Sequence, residues 1–156
     1  MSKATLVEEV ALESEAFMSE PFAQWLGAFE RRRLGDHFGL DRIGVHLETL
    51  SPGSRSALHH WHTESDELVY LLEGELVAVT DEGESVLKPG MCIGFKGGRN
   101  VAHHLSNRSG QQARYLAIGS RDAKDKVQYP NDDLQWLQDE AGSWYPAKKD
   151  GTRIPF

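Results

Sequence analysis

The chain has 156 residues and a formal net charge of -7, from 24 acidic and 17 basic residues. This length suits a single domain with one core, and the acidic balance argues against nucleic-acid binding, which depends on neutralising phosphates. No apolar run approaches the roughly 20 residues of a membrane span, and the first residues lack the basic and apolar regions of a secretion signal, so we expect a cytoplasmic protein that does not bind membranes.

The first 40 residues are predicted to form an N-terminal arm outside the main domain (1–40). Phe22, Trp25 and Phe29 are spaced as on one or two turns of helix. Aromatic side chains at that spacing are rarely left in water, so we expect the arm to fold over the domain or to reach a second subunit. The three arginines at 31–33 are interpreted as a solvated turn or as a patch that pairs with acids.

Residues 41–120 carry the strand signals of an all-β domain. Residues 43–49 alternate between an apolar set, predicted to face the core, and a polar set that includes His46. Cys92 lies in a short apolar run and is predicted to be a small core residue. Further short strands, separated by turn residues, are predicted at 68–72, 75–80, 85–87, 91–95, 101–105 and 114–118.

Residues 121–156 form a polar tail that still contains large aromatic side chains. Among them are Trp136, Trp144 and Tyr145. We expect the tail to pack on the outside of the domain or on a partner subunit. Because the arm and the tail together supply more apolar surface than one small domain can cover, we predict a homodimer.

Residues 52–75 hold the strongest chemical signal. On a strand, His60 and His62 project from one face about 6.6 Å apart, so both imidazoles can reach one ion. Glu67 opens the apolar run 68–72, which is predicted to be a strand buried on both faces. A carboxylate at the start of a buried strand needs a partner, and beside two histidines it completes a nitrogen and oxygen site for a divalent transition metal.

The spacing of Gly53, His60-x-His62, Glu67 and Gly74 resembles the first sequence motif of the cupins. The family pattern places its first histidine at His59. His59 and His62 are therefore a competing pair, but they would lie on opposite faces of a strand, so we retain His60.

Residues 90–107 resemble the second cupin motif, with two departures. Lys96 replaces a proline, and four residues instead of two separate Gly98 from His103, while the ending His103-x-x-x-Asn107 is kept. The resemblance implies a double-stranded β-helix barrel of the jelly-roll kind at residues 41–120.

The same resemblance implies a four-residue ligand set for a divalent transition metal such as Zn, Mn, Fe or Ni. The implied ligands are His60, His62, Glu67 and His103. On a regular strand His103 shares its face with apolar neighbours that should line the interior, but a bulge in the longer loop would reverse the faces and make His104 the ligand.

The resemblance implies a metal-binding protein that acts on a small oxygenated molecule, such as a sugar or sugar phosphate, in an isomerase-like reaction. An Fe-dependent dioxygenase and a non-catalytic module that binds a small-molecule ligand are the alternatives. No catalytic residue is identified beyond the metal ligands.

Glu64 and Asp66 are interpreted as solvated turn acids. Lys96, Arg99 and Arg55 are expected on loops near the barrel mouth, where they could contact an anionic substrate, although surface charges need no such role.

Overall fold

The computed structural model describes residues 2–14, 18 and 20–155. In these residues the all-β prediction is confirmed, with one short α-helix, α1 (Leu34–His37), and two 3-10 turns, Val7–Glu9 and Ala23–Trp25. The strands are, in chain order, β1 (Leu12–Glu13), β2 (Phe29–Arg33), β3 (Ile43–Leu50), β4 (Trp61–His62), β5 (Glu67–Glu73), β6 (Leu76–Thr80), β7 (Gly83–Leu87), β8 (Cys92–Phe95), β9 (His103–Ser106), β10 (Ala113–Ser120), β11 (Val127–Gln128), β12 (Gln135–Gln138) and β13 (Trp144–Ala147).

The strands form three antiparallel sheets. One has six strands in the order β1-β2-β3-β10-β5-β8, one has four in the order β13-β12-β11-β4, and one has three in the order β7-β6-β9. Among the residues that the structure describes, the second and third sheets meet at a single bridge, between His60 and His103. Together they make one wall of a barrel whose other wall is the six-stranded sheet, which agrees with the predicted double-stranded β-helix.

The main core lies between the two walls. It combines side chains of the six-stranded sheet with side chains of the three-stranded sheet: Leu50, Val69, Leu71, Leu76, Ala78, Leu87, Leu105, Ala113 and Tyr115. Because successive residues of a strand face opposite sides, this cluster also fixes which side chains of each strand point inward.

On β3 the inward face is the reverse of the prediction. Leu50 belongs to the core, so Glu48 and His46 point inward with it, whereas Ile43 lies on the outer face and is exposed. Glu48 accepts hydrogen bonds from Tyr115 and from Arg31 at 2.5 and 2.9 Å. These partners satisfy the carboxylate, and this is why a polar face can line the barrel.

Strand β5 is buried on one face only, and this corrects the prediction of burial on both faces. Leu68, Tyr70 and Leu72 are 41%, 40% and 38% exposed, while Val69 and Leu71 are buried. Cys92 pairs with Tyr70 from the edge strand β8 and is exposed, so it is not a core residue. The outer face of β5 is therefore exposed to solvent along this apolar run.

The N-terminal segment forms one of the helical turns that the aromatic spacing predicts, at Ala23–Trp25. The predicted helical spacing ends before Phe29, which begins β2, and β2 pairs with β3 and extends the sheet. The arginines at 31–33 lie on this strand and not in a turn. Arg31 pairs with Glu48 and Arg33 with Glu13, as the acid-pairing alternative predicted.

The tail packs on the barrel wall as a sheet. Strand β11 pairs with β4, and the tail strands bury a second apolar cluster, which contains Leu26, Leu58, Val127, Tyr129 and Leu134. The tail is thereby held against the strand that carries His62. None of the described helices has the length and apolar character needed to cross a membrane.

Candidate metal centre

Four polar side chains meet at one end of the barrel, and separate elements supply them. His60 and His62 come from β4 and the residue before it, Glu67 begins β5, and His103 begins β9. The backbones of His60 and His103 exchange two hydrogen bonds, of 3.1 and 2.8 Å, which hold their rings side by side with centroids 4.7 Å apart. The sheet register therefore brings together residues that are 43 positions apart in the numbering.

Glu67 lies at the centre of the cluster. Its Oε1 is 2.9 Å from His62 Nε2 and 3.9 Å from His60 Nε2, and its Oε2 is 2.5 Å from His103 Nε2. Three imidazole nitrogens thus face one carboxylate inside a largely buried site. A set of nitrogen and oxygen donors of this kind suits a divalent transition metal.

The histidine rings are oriented from outside the cluster. His60 donates its Nδ1–H to the carbonyl oxygen of Leu58 at 2.7 Å, and His62 donates its Nδ1–H to Asp125 at 2.7 Å. Asp125 is 2% exposed and also accepts the backbone N–H groups of Glu64 and Ser65. Because each Nδ1–H is used in this way, Nε2 is the nitrogen of each ring that can bind an ion once it carries no proton, which is the usual arrangement of metal-binding histidines.

The pKa values in the cluster follow from burial opposed by close charges. Burial alone would raise the pKa of Glu67, but its contacts with His103, His60 and His62 outweigh it and hold that pKa well below the ordinary range. Burial alone would lower the pKa of His62, but Asp125 and Glu67 raise it to about 10. The pKa of His103 is lowered, chiefly by burial.

At neutral pH His62 therefore carries a proton on both ring nitrogens and lies between two carboxylates. In this state both ring N–H groups donate, one to Asp125 and one to Glu67. A metal ion needs the lone pair of Nε2, so its binding must release this proton. Metal affinity at this cluster should rise with pH for that reason.

Two loops hold the cluster in place. Gly97 donates its N–H to Asp66 at 2.8 Å, and Gly98 donates its N–H to the carbonyl of His62 at 2.9 Å. A Cβ atom on Gly97 would lie 2.2 Å from the carbonyl oxygen of Glu64, so only glycine permits this approach. The glycines before His103 thus lock the loop that leads into Glu67.

Two aromatic rings border the ligands. Phe95 stacks on His103 with centroids 3.6 Å apart and an interplanar angle of 1°, and Tyr129 lies against His60 at 5.8 Å. Burial, together with the charge of Glu67, raises the pKa of Tyr129. Its hydroxyl therefore stays protonated at neutral pH and can donate a hydrogen bond but cannot accept a proton from a substrate.

The cupin domain family matches residues 46–119. A structure described as a sugar phosphate isomerase from a cupin superfamily, from Silicibacter pomeroyi, is 31% identical over 98% of this chain and 97% of its own, with a TM-score of 0.89. This chain belongs to the cupin superfamily.

Two other structures are similar to this cupin. A structure from Acidithiobacillus ferrooxidans, named as a candidate sugar phosphate isomerase, is 26% identical over 100% of this chain and 96% of its own, with a TM-score of 0.79. The polyketide cyclase RemF from Streptomyces resistomycificus is 26% identical over 78% of this chain and 81% of its own, with a TM-score of 0.63. No curated protein matches the sequence.

The cupin fold separates the two adjacent histidines of β9. His103 points into the barrel toward Glu67, whereas His104 contacts His59 on the outer face at 2.9 Å between Nδ1 atoms. The longer loop therefore does not reverse the faces of β9. His59 is likewise drawn away from His62, so the competing pair predicted from the family spacing does not form.

The charged residues flanking the motifs lie outside the cluster. Glu64 and Asp66 are exposed, in agreement with their interpretation as turn acids. Lys96 is exposed, and Arg99 pairs with Glu82 in solvent at 2.8 Å. Arg55 does not lie at the mouth of this cupin barrel but on its outer face, beside His59 and His104.

Sequence reasoning missed two residues that belong to the site. Asp125 and Tyr129 come from the tail, more than 60 positions after the histidines that they contact, His62 and His60. Neither lies in a motif or at a diagnostic spacing. The available signal was the aromatic content of the tail, which indicated packing on the barrel but not the position of that packing.

Proposed function

We propose that this cupin binds a divalent transition metal through His60, His62, Glu67 and His103. The observation that carries the proposal is the convergence of three imidazole Nε2 atoms on Glu67, with the Nδ1–H groups of His60 and His62 fixed by Leu58 and Asp125. No ion of another class suits a donor set of three imidazoles and one carboxylate as well. The identity of the metal among Zn, Mn, Fe and Ni follows from measurement, not from these residues.

We further propose that the protein acts on a small oxygenated molecule, a sugar or sugar phosphate, in an isomerase-like reaction. Two similar structures carry that activity in their names, and one of them spans 98% of this chain. When bound, the metal would supply a Lewis acid that polarises an oxygen of the substrate. Asp125 holds His62 in orientation, and Tyr129 can donate a hydrogen bond to a bound oxygen atom.

Binding without catalysis is the second candidate. It is favoured by the two rings that border the ligands, because neither Phe95 nor protonated Tyr129 accepts a proton at neutral pH. An isomerase that moves a proton between carbons needs such an acceptor. The two candidates therefore differ in whether bound sugar phosphate is converted.

The experiment has two stages, with His104→Gln as the matched control for His103→Gln. First, the metal content of protein purified without chelator is measured in the wild type and in both variants. Second, aldose and ketose phosphates are incubated with the metal-loaded wild type and followed by NMR. We expect interconversion that requires the metal. Binding without conversion would support the second candidate, and bound iron with oxygen consumption would indicate a dioxygenase.

We also propose that the protein is a homodimer that uses the outer face of the six-stranded sheet. Leu68 and Tyr70 are exposed there, next to Cys92. An exposed apolar sheet face of this kind is typical of an association surface. The cytoplasmic location remains a prediction from the sequence.

Sedimentation velocity tests the dimer at micromolar concentration. The wild type should sediment at twice the monomer mass of 17.5 kDa, and Tyr70→Lys should sediment as a monomer. Val86→Lys is the control, because Val86 is 49% exposed on β7, outside the six-stranded sheet. A wild-type species of monomer mass would refute the proposal.

A further inference from the structure

A second cluster of histidines lies on the outer face of the three-stranded sheet. His104 and Val79 are paired across β9 and β6, and both point away from the barrel core. His59 contacts His104 through its Nδ1 at 2.9 Å and Asp81 through its Nε2 at 2.7 Å. Three polar side chains therefore form a chain that is separated from Glu67 by the thickness of the sheet.

The direction of the hydrogen bonds in this chain is fixed by its carboxylate. Asp81 accepts from Ala102 N–H and from His59 Nε2–H, because an ionised carboxylate can only accept. When both rings are neutral, His59 Nδ1 is the acceptor in its contact with His104, and His104 Nδ1–H donates. The remaining ring nitrogen of His104, Nε2, is left with a lone pair and can accept a hydrogen bond from a ligand.

The two histidines line a pocket of 430 Å³ between the sheet, the N-terminal arm and the tail. Arg55 is half-buried in its wall and forms no ion pair with any residue that the structure describes. Trp25 from the arm is 46% exposed and presents an apolar ring. Asn131 and Asp132 from the tail supply further hydrogen-bonding groups.

We propose that this pocket is a second binding site, for a small organic anion that also carries hydroxyl groups, such as a phosphate monoester or a hydroxycarboxylate. Arg55 would bind the anionic group, because a guanidinium without an ion pair suits phosphate or carboxylate. His104 Nε2 accepts from one hydroxyl group, and Asp132 can accept from another. Trp25 covers the carbon skeleton.

A metal ion is excluded from the same pocket by its chemistry. Only the Nδ1 atoms of His59 and His104 converge, while the Asp81 carboxylate is occupied by His59 and Ala102. Arg55 lies close enough to His104 to lower its pKa, after the larger effect of burial. A positive charge at that distance favours an anion and opposes a cation.

The test is a titration of chelator-treated protein with inorganic phosphate, glycerol 3-phosphate and glycerate, followed by NMR of the Trp25 indole N–H. We expect at least one of the two organic anions to bind more tightly than inorganic phosphate, because it adds hydroxyl and carbon contacts. Phosphate ester and carboxylate are separate arms, so the anionic group is identified at the same time.

Variants place the binding at the pocket. Arg55→Gln should weaken binding about tenfold or more, the usual order for losing a hydrogen bond to a charged group. His104→Gln alters an uncharged acceptor and should weaken binding less, by about threefold to tenfold. Arg108→Gln, whose side chain pairs with Glu84 in solvent, should bind as the wild type does. Glu67→Gln should also retain binding, since the pocket does not use the metal centre.

Three outcomes would overturn the proposal: no binding of either organic anion, unchanged affinity in Arg55→Gln, or loss of binding in Glu67→Gln. Arg55→Lys guards against a folding artefact, because it keeps the charge and the packing of the stem. It should bind more tightly than Arg55→Gln while melting at the same temperature. Failure at the metal centre leaves these measurements intact, so the two proposals can fail separately.

Discussion

Two glutamates on the inner face of the same sheet, the buried Glu48 and the half-buried Glu67, have different partners. Glu48 contacts Arg31, Tyr115 and His46, whereas Glu67 contacts three histidines. Both carboxylates are ionised, and both have lowered pKa values. The difference lies in Arg31, because a guanidinium keeps its proton at every physiological pH, whereas each imidazole around Glu67 can release its proton and bind a metal.

The partners of a buried or half-buried carboxylate indicate whether it stabilises the fold or belongs to a binding site. A partner that cannot lose its charge makes Glu48 part of the fold. Partners with lone pairs, oriented by groups behind them, make Glu67 available to an ion. Substitutions at the two positions should therefore affect different measurements.

The largest effect is expected from Glu48→Gln, which leaves Arg31 without its buried carboxylate. Loss of one partner of a buried pair typically costs about 3–5 kcal/mol of unfolding free energy. Chemical denaturation at neutral pH measures this cost. Glu30→Gln, an exposed carboxylate on β2, is the control and should change little.

The pH dependence gives the Glu48 effect a signature. Burial alone would raise the pKa of Glu48, but the contact with His46, the charge of Arg31 and the Tyr115 hydroxyl lower it to about 2 from an ordinary 4.5. This stabilisation, on the order of 3 kcal/mol, is present above pH 4.5 and is lost as the pH falls toward 2. If the unfolding free energies of Glu48→Gln and of the wild type fall equally between pH 4.5 and pH 2, Glu48 does not titrate with folding.

Chelation should separate the two glutamates. An ion present at about 100 times its dissociation constant stabilises the native protein by roughly 2.7 kcal/mol, so its removal should lower the melting temperature. His60→Ala and His62→Ala should lose most of this response, while Glu48→Gln should keep it. Equal responses in all three variants would contradict the ligand assignment.

The adjacent histidines of β9 provide the sharpest matched pair. His103→Ala should lower metal affinity at least about tenfold, the order expected for a close determinant of a site, and His104→Ala should leave it near the wild-type value. Titration with a coloured metal such as Co²⁺ measures both. The reverse result would mean that the outer cluster holds the ion.

The smallest effect on the metal is expected from Asp125→Asn, which keeps the packing but weakens the orientation of His62. Metal affinity should fall about tenfold, at the lower end of the range for such supporting groups. Asp41→Asn is the control, because Asp41 is an exposed carboxylate. If Asp125→Asn binds metal as the wild type does, the Asp125 carboxylate serves only to accept hydrogen bonds from the backbone N–H groups of Glu64 and Ser65.

Much of the fold and of the candidate site could be predicted, because both depend on local patterns. Strand alternation and turn residues located the barrel, and motif spacing selected the four residues that meet at Glu67. Alternation defines two faces of a strand but not which one is inside. On β3 this led to the wrong face, since Arg31 and Tyr115, far apart in sequence, decide that Glu48 can be buried.

The remaining features depend on long-range packing. Asp125 reaches His62 because β11 pairs with β4, and no local signal in the tail predicts that register. The exposure of Cys92 follows from the edge position of β8, which is a property of sheet order. Sequence patterns contain neither kind of information for a single chain.

The bridge between His60 and His103 connects the metal centre to the cohesion of the barrel wall. It is the only strand contact between the three-stranded and four-stranded sheets in the described part of the chain, and it consists of two backbone hydrogen bonds. An ion bound by the two side chains would hold the two sheets together at this bridge, from inside the barrel. Loss of the metal should then increase local opening at this bridge, so amide hydrogen exchange there should become faster before any global unfolding occurs.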